Sequence, residues 1–107
     1  MIGAKYTIEG DKHTLVVVGH ARYAEYGKDI VCAGVSALVQ ALIGWIDDSD
    51  CMDGCISRDN INNEVVVSCV GDKAVEAAFS MTYIGLEQIA NSYPNHLQVD
   101  KDIGFAY

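Results

Sequence analysis

Three predicted elements, a strand, a loop and a helix, follow one another in residues 13–46, HTLVVVGHARYAEYGKDIVCAGVSALVQALIGWI. The first part of this stretch carries the apolar run 15–18, which includes three β-branched valines, and predicts a strand that ends at Gly19. Residues 20–28 have no hydrophobic period and predict a loop. From Asp29 onward apolar residues recur at helical spacing, which predicts an amphipathic helix. Its predicted buried face consists of Val31, Val35, Leu38, Leu42 and Trp45.

Strands are predicted on both sides of this stretch. Residues Ala4 to Glu9 form a short strand, and the turn chemistry of residues 10–12 predicts that it makes a hairpin with the strand that follows. Downstream, Met52 to Arg58 and Glu64 to Val70 predict two further strands joined by the Asn-rich turn 59–63.

A second helix and a final strand complete the chain. Asp72 is placed to cap the helix, and Pro94 is placed to end it. Leu97 alternates with polar neighbours in the last strand. The order is therefore ββαββαβ, which predicts an α+β fold: a two-layer sandwich with two helices packed on one face of a mixed sheet. The predicted apolar positions of the second helix are Val75, Phe79, Thr82, Leu86, Ile89 and Tyr93.

Composition limits the classes of function. The 107 residues predict one domain, 1–107, and the net charge of −8 argues against a nucleic-acid surface and favours a basic protein or peptide as partner. The near-apolar stretch Ile30–Ile46 falls short of the roughly 20 residues that a bilayer span needs, and no leader segment is evident. We therefore expect a soluble, cytoplasmic protein with no cofactor, whose four cysteines are free thiols.

A histidine and a cysteine flank the loop. His20 lies where the strand ends, and Cys32 lies in the first turn of the helix. A thiol is nucleophilic as the thiolate, which an imidazolium and a helix N-terminus both favour. The amides of that first turn are candidates to receive an oxyanion. The competing interpretation is a small buried cysteine and an unrelated surface histidine.

Two polar residues close to Cys32 in the sequence, Asp29 and Ser36, each have a structural and a functional interpretation. Asp29 is placed as the helix N-cap, and it is also a candidate to orient His20. Ser36 lies one turn after Cys32, where its hydroxyl either steadies the site or bonds back to its own helix. The loop itself is a candidate gate over a bound peptide, with hinges at Gly19 and Gly27 and with Tyr23 and Tyr26 as its covering side chains.

Metal binding is the weaker interpretation of the other polar clusters. Cys51 and Cys55 have a looser spacing than paired zinc ligands. An acidic cluster follows the first helix, and it lacks the loop of a calcium hand. We expect it to be a solvated helix end or a docking surface for a basic substrate. The cluster consists of Asp47, Asp48, Asp50 and Asp53.

The segments Gly19-His20-Ala21 and Gly27 to Leu38 resemble the signature of the bacterial ribosomal processing cysteine proteases, the Prp family. Length, element order and acidic character agree with that family across essentially the whole chain. One departure is visible: family members often carry two alanines after the cysteine, whereas this chain has Ala33-Gly34.

The resemblance implies a small cytoplasmic endopeptidase, usually a homodimer, that removes a short N-terminal extension from a large-subunit ribosomal protein. It implies an apolar, aromatic-rich stretch before the cut and a basic start after it. It assigns the catalytic dyad to His20 and Cys32, and supporting roles to Asp29 and Ser36.

Two rival functions belong to other classes. One is a non-catalytic ribosome-assembly adaptor, in which the acidic surface binds a basic ribosomal protein and Cys32 is only packing. The other is a thiol-redox protein, which the absence of a Cys-x-x-Cys pair disfavours.

Overall fold

The computed structural model describes residues 1–20, 29–49 and 52–104, and leaves the side chains of residues 52 and 53 undescribed. The described elements follow the predicted order ββαββαβ. They are β1 (Ile2–Glu9), β2 (Lys12–Gly19), α1 (Ile30–Asp48), β3 (Met52–Asp59), β4 (Glu64–Val70), α2 (Lys73–Ser92) and β5 (Leu97–Gly104).

The five strands form one mixed sheet in the order β3-β4-β2-β1-β5. The hairpin of β1 and β2 is antiparallel as predicted, with Ile2 opposite Gly19. β5 returns to the edge beside β1 and runs parallel to it. The β1–β2 hairpin places the beginning of β1 beside the end of β2. Because β2 is the central strand, Gly19 and His20 lie in the middle of the sheet rather than at an edge.

Both helices cover one face of this sheet, and the α+β sandwich is confirmed. α1 begins after the N-cap Asp29, and α2 begins after the N-cap Asp72. α2 ends at Ser92, before Pro94, which has no amide hydrogen to continue the ladder. Side chains of alternating positions in β1, β2 and β4 meet the helices and form the core with them.

The predicted buried face of α1 is partly wrong. Leu38 and Trp45 are only half-buried, although both pack against the core. Burial extends instead to Val39, Ile43 and Ile46. The helix packs against the sheet and against α2, so its buried arc is wider and rotated relative to the stripe that spacing alone selects.

Two glycines set the distance between the helices. A Cβ on Gly34 would lie 3.1 Å from Cδ1 of Ile89, and a Cβ on Gly85 would lie 2.8 Å from Cδ2 of Leu38. Each helix thus offers a glycine to a large side chain of the other. At Gly34, where this chain departs from the predicted Ala-Ala pair, a Cβ would therefore require Ile89 to shift slightly.

α1 is apolar enough to raise the question of a membrane. An 18-residue window of its 19 residues has a mean hydropathy of 1.8, so by length and composition alone it passes as a candidate span, contrary to the expectation from sequence. Its buried residues, including Val31, Val35 and Leu42, pack in the core of the sandwich. Buried residues make up 33% of that window.

A tyrosine and a histidine are buried together between the sheet and α2. The Tyr6 hydroxyl lies 2.7 Å from Nδ1 of His13, and the His13 side chain is 4% exposed. Phe79 packs against both rings. Burial lowers the pKa of His13 below its ordinary 6.5, and the nearby charges of Glu76 and Asp11 offset this only in part.

The His13 pair predicts a pH-dependent stability. Because the pKa of His13 is lower in the folded protein, the unfolded chain binds the proton more readily. The contribution of neutral, buried His13 to the free energy of unfolding is therefore present above pH 6.5 and is lost as the pH falls below it. We expect His13→Gln, which keeps an acceptor for Tyr6 and does not titrate, to flatten this loss. The substitution is expected to remove a slope of at most about 1.4 kcal/mol per pH unit from the plot of unfolding free energy against pH.

Urea unfolding of both proteins between pH 7.5 and 5.5 measures this slope. Carboxylates contribute equally to both proteins, so the difference between the two curves isolates His13. If the unfolding free energies of the wild type and of His13→Gln fell in parallel as the pH is lowered, the prediction would be contradicted.

Candidate active site

A groove of about 740 Å³ opens where the end of β2, the start of α1 and the turn between β3 and β4 meet. His20 and Cys32 both line it, together with Asp29 and Ser36. The fold thus brings the four predicted catalytic and supporting residues to one cavity. Whether each plays its predicted role stays a prediction.

His20 is presented by an unusual backbone at Gly19. Gly19 has a φ of 101°, a conformation that L side chains rarely adopt, and a Cβ there would lie 2.5 Å from the carbonyl oxygen of Met1. Its amide donates to the carbonyl of Asn63 at 3.1 Å. The side chain of Asn63 in turn forms a hydrogen bond with Nε2 of His20.

Asp29 caps α1. One carboxylate oxygen, Oδ1, accepts from the amides of Val31 and Cys32, each at 3.0 Å, and the backbone carbonyl of Asp29 accepts from the amide of Ala33 at 3.0 Å. The capping interpretation of Asp29 is therefore confirmed. A role in orienting His20 stays a prediction.

The same contacts correct one expectation about the helix N-terminus. The amides of Val31, Cys32 and Ala33 do not point outward to an oxyanion, because Asp29 already accepts from all of them. The expectation that these three amides are free to receive an oxyanion is wrong. The amide of Ile30, also in the first turn, stays a predicted donor. The side chain of Asp29 satisfies orphan amide groups that a ligand would otherwise meet.

Ser36 and the loop account for the remaining predicted residues. Ser36 is exposed on α1 and lines the groove. Of the proposed gate, Gly19 is the last residue of β2, and its role as a hinge stays a prediction. Tyr23, Tyr26 and Gly27 lie outside the described residues, so the gate stays a prediction.

The cysteines differ from one another. Cys32 and Cys55 are free thiols as predicted, whereas Cys69 is disulfide-bonded, so the expectation of free thiols is wrong there. That expectation rested on compartment, whereas bonding depends on which sulfurs the fold brings together. Cys51 lies outside the described residues.

The acidic cluster is only partly described. Asp47 and Asp48 are exposed at the end of α1, Asp50 lies outside the described residues, and the side chain of Asp53 is not described. Within the described ranges, no three His, Cys, Asp or Glu side chains are grouped to hold a metal ion.

The walls of the groove combine apolar and charged side chains. Its apolar wall comes from α1 and the sheet, and its charged rim comes from the N-cap of α1 and the hairpin of β3 and β4. The apolar wall consists of Ile2, Val17, Val35, Val39 and Val65. The charged rim consists of Asp29, Arg58, Asp59 and Glu64.

Asn63 is the site residue that sequence reasoning missed. It was included only in an Asn-rich turn, and its φ of 49° is a conformation that asparagine tolerates better than most residues. That turn chemistry was visible in the sequence. Its contact with His20, 43 positions away, was not, because it depends on the antiparallel pairing of β2 with β4.

Comparison with known proteins identifies the family. The family model "Cysteine protease Prp" matches residues 1–98. The chain belongs to the Prp family of cysteine proteases. It is 33% identical over 89 residues to the ribosomal processing cysteine protease Prp of Mycoplasma genitalium, covering 82% of this chain and 87% of that protein. A shorter match, 50% identical over 40 residues, joins it to the Prp of Staphylococcus aureus, over 34% of this chain and 38% of that protein.

Solved structures of this family share the fold. A crystal structure of Prp from S. aureus with a covalently linked product peptide matches with a TM-score of 0.84 at 24% identity, covering 94% of this chain and 99% of that one. A complex of the S. aureus protein with a substrate peptide matches with a TM-score of 0.79 at 23% identity and the same coverage. The match of the family model to residues 1–98 confirms the family resemblance predicted from the His20 and Cys32 segments.

Proposed function

We propose that this cysteine protease removes the short N-terminal extension of a large-subunit ribosomal protein. Support comes from the relatives, which carry the name ribosomal processing cysteine protease at 33% identity over most of the chain. The observation that carries the site assignment is that His20 and Cys32, 12 positions apart, line one groove. A thiol protease requires a cysteine nucleophile and a nearby general base, and a histidine in the same cavity provides that base.

In this mechanism Cys32 is the nucleophile and His20 is the general base and acid. The imidazole takes the proton of the Cys32 thiol, and the sulfur attacks the scissile carbonyl carbon. His20 then gives that proton to the leaving amine as the C–N bond breaks, which leaves an acyl-enzyme thioester. Water, deprotonated by His20, hydrolyses the thioester and restores the thiol.

The groove suits such a substrate. The apolar wall provides a favourable surface for an apolar extension, since burying apolar area contributes about 25 cal/mol per Å². Asp59 and Glu64 on the charged rim offer partners for the basic residues that follow a cut in a ribosomal protein. The net charge of −8 favours the same basic partner at longer range and disfavours direct contact with nucleic acid.

We further propose that the protein acts in the cytoplasm, where ribosomal proteins are synthesised, and that it does so as a homodimer. Both proposals rest on the family resemblance.

The test is cleavage of a ribosomal precursor peptide that carries the N-terminal extension, followed by mass spectrometry. The expected result is a single new N-terminus at the junction between extension and mature sequence. A peptide with the extension scrambled at equal composition serves as the control and should remain intact. Cleavage of both peptides at many sites would contradict a processing function, and intact precursor would contradict the proposed substrate.

A further inference from the structure

We propose that Asn63, in the turn between β3 and β4, is a positioning residue that orients the imidazole of His20 for proton transfer with Cys32. This inference rests on the proposed role of His20 as general base. Asn63 does not touch the substrate in this proposal; it acts through His20.

The contact selects one nitrogen of the ring. The contact joins Nδ2 of the Asn63 amide and Nε2 of the His20 ring. Because Nε2 is occupied by this contact, Nδ1 is the nitrogen left for exchange with the thiol. His20 itself is exposed at the end of β2, where an unanchored side chain would exchange among rotamers. Anchoring Nε2 reduces that freedom and fixes the direction in which Nδ1 points.

Chemistry decides which atom of the amide faces the ring. The structure places Nδ2 of the Asn63 amide against Nε2, and a half-turn of the amide brings Oδ1 to the same place. An Nδ1 that accepts a proton from sulfur requires the neutral ring to carry its hydrogen on Nε2. Nε2–H then donates to Oδ1 of Asn63, and the same bond persists when the ring becomes imidazolium.

The turn holds Asn63 firmly in place. The carbonyl of Asn63 accepts from the amide of Gly19 at 3.1 Å, which ties the turn to the residue before His20. Asn63 therefore contacts this segment twice, once through its backbone and once through its side chain. Asn63 makes both contacts with a φ of 49°.

Asp59 stiffens the turn from its other end. Its Oδ1 accepts from the amides of Ile61 at 2.9 Å and Asn62 at 3.2 Å, and its Oδ2 accepts from Nδ2 of Asn62 at 2.8 Å. These hydrogen bonds lower the pKa of the Asp59 carboxyl. The turn is thus ordered before any substrate arrives, which is what a positioning residue requires.

The neighbouring asparagine offers a matched control. Asn63→Gly removes the amide and suits the positive φ, so that the backbone of the turn is retained. Asn63→Asp keeps an acceptor oxygen for Nε2–H. Asn62→Gly removes an identical side chain that bonds to Asp59 and not to His20.

The experiment measures kcat and KM for precursor-peptide cleavage from pH 5 to 9 in the wild type and these variants. We expect Asn63→Gly to lower kcat by about 10- to 100-fold with KM within about twofold. We expect Asn63→Asp to recover most of kcat and to displace the pH profile of kcat/KM to higher pH, because a carboxylate favours the imidazolium. Asn62→Gly should change neither kcat nor the profile by more than about twofold.

Outcomes separate this inference from the proposed function. If His20→Ala cleaves as fast as the wild type, the general-base assignment fails and the inference fails with it. If His20→Ala is inactive while Asn63→Gly retains full kcat, only the inference is overturned. Equal losses in Asn63→Gly and Asn62→Gly, with an unshifted profile in Asn63→Asp, would also overturn it, since they would indicate a role in turn stability alone.

Discussion

Cys32→Ala is expected to abolish cleavage of the precursor peptide while the protein remains folded. Removing the nucleophile removes the covalent route, and in enzymes of this type such losses are about 10⁴-fold or more. The substitution deletes one sulfur from a half-buried position at the start of α1, which is a small change in packing. The rate of peptide cleavage, followed by mass spectrometry, measures the first effect, and urea unfolding measures the second.

The chain offers its own control for this prediction. Cys55 is a second free thiol, exposed on β3. Cys55→Ala should cleave at the wild-type rate, and iodoacetamide should inactivate it as it inactivates the wild type. A Cys32→Ala protein that still produced the same new N-terminus would rule out the thiol mechanism.

Gly19→Ala is expected to have the largest effect on stability and to reduce cleavage as well. The new Cβ would lie 2.5 Å from the carbonyl oxygen of Met1, and the residue would have to hold a φ of 101°. Strain of this kind, together with the backbone shift that relieves it, costs about 2–4 kcal/mol of unfolding free energy. Because His20 is the next residue, the shift also moves the imidazole away from Asn63.

Two other glycines separate the causes of this effect. Gly10 also has a positive φ, 61°, but a Cβ there would meet nothing within 4 Å. Gly10→Ala should therefore cost only about 1 kcal/mol, the price of the backbone conformation alone. Gly44 lies in α1 with open space around it, and Gly44→Ala should be neutral or stabilising by up to about 1 kcal/mol. Urea midpoints that ranked Gly19→Ala beside Gly10→Ala would show that the contact with Met1 does not matter.

The occupied amides at the start of α1 bear on how the oxyanion is stabilised. Asp29 accepts from three first-turn amides, and its negative charge compensates the positive end of the helix. The helix N-terminus therefore acts first as a capped end that fixes the position of Cys32. This differs from the role that its place in the sequence favoured.

The sequence by itself determined the order of elements, their approximate ends and the pair His20 and Cys32. These follow from local chemistry: hydrophobic periods of two and 3.6 residues, a carboxylate before a helix, a proline after one, and a motif in consecutive residues. The capping role of Asp29 belongs here too, since a cap needs only its own first turn.

The tertiary structure alone decided what depends on residues distant in the chain. The buried arc of α1 follows from packing against α2, so Val39 and Ile43 are buried more deeply than Trp45. Gly19 has no room for a side chain because the β1–β2 hairpin brings it beside Met1. Asn63 reaches His20 because β4 pairs with β2. No local pattern encodes these contacts, since each is fixed by strand pairing and helix packing across the fold.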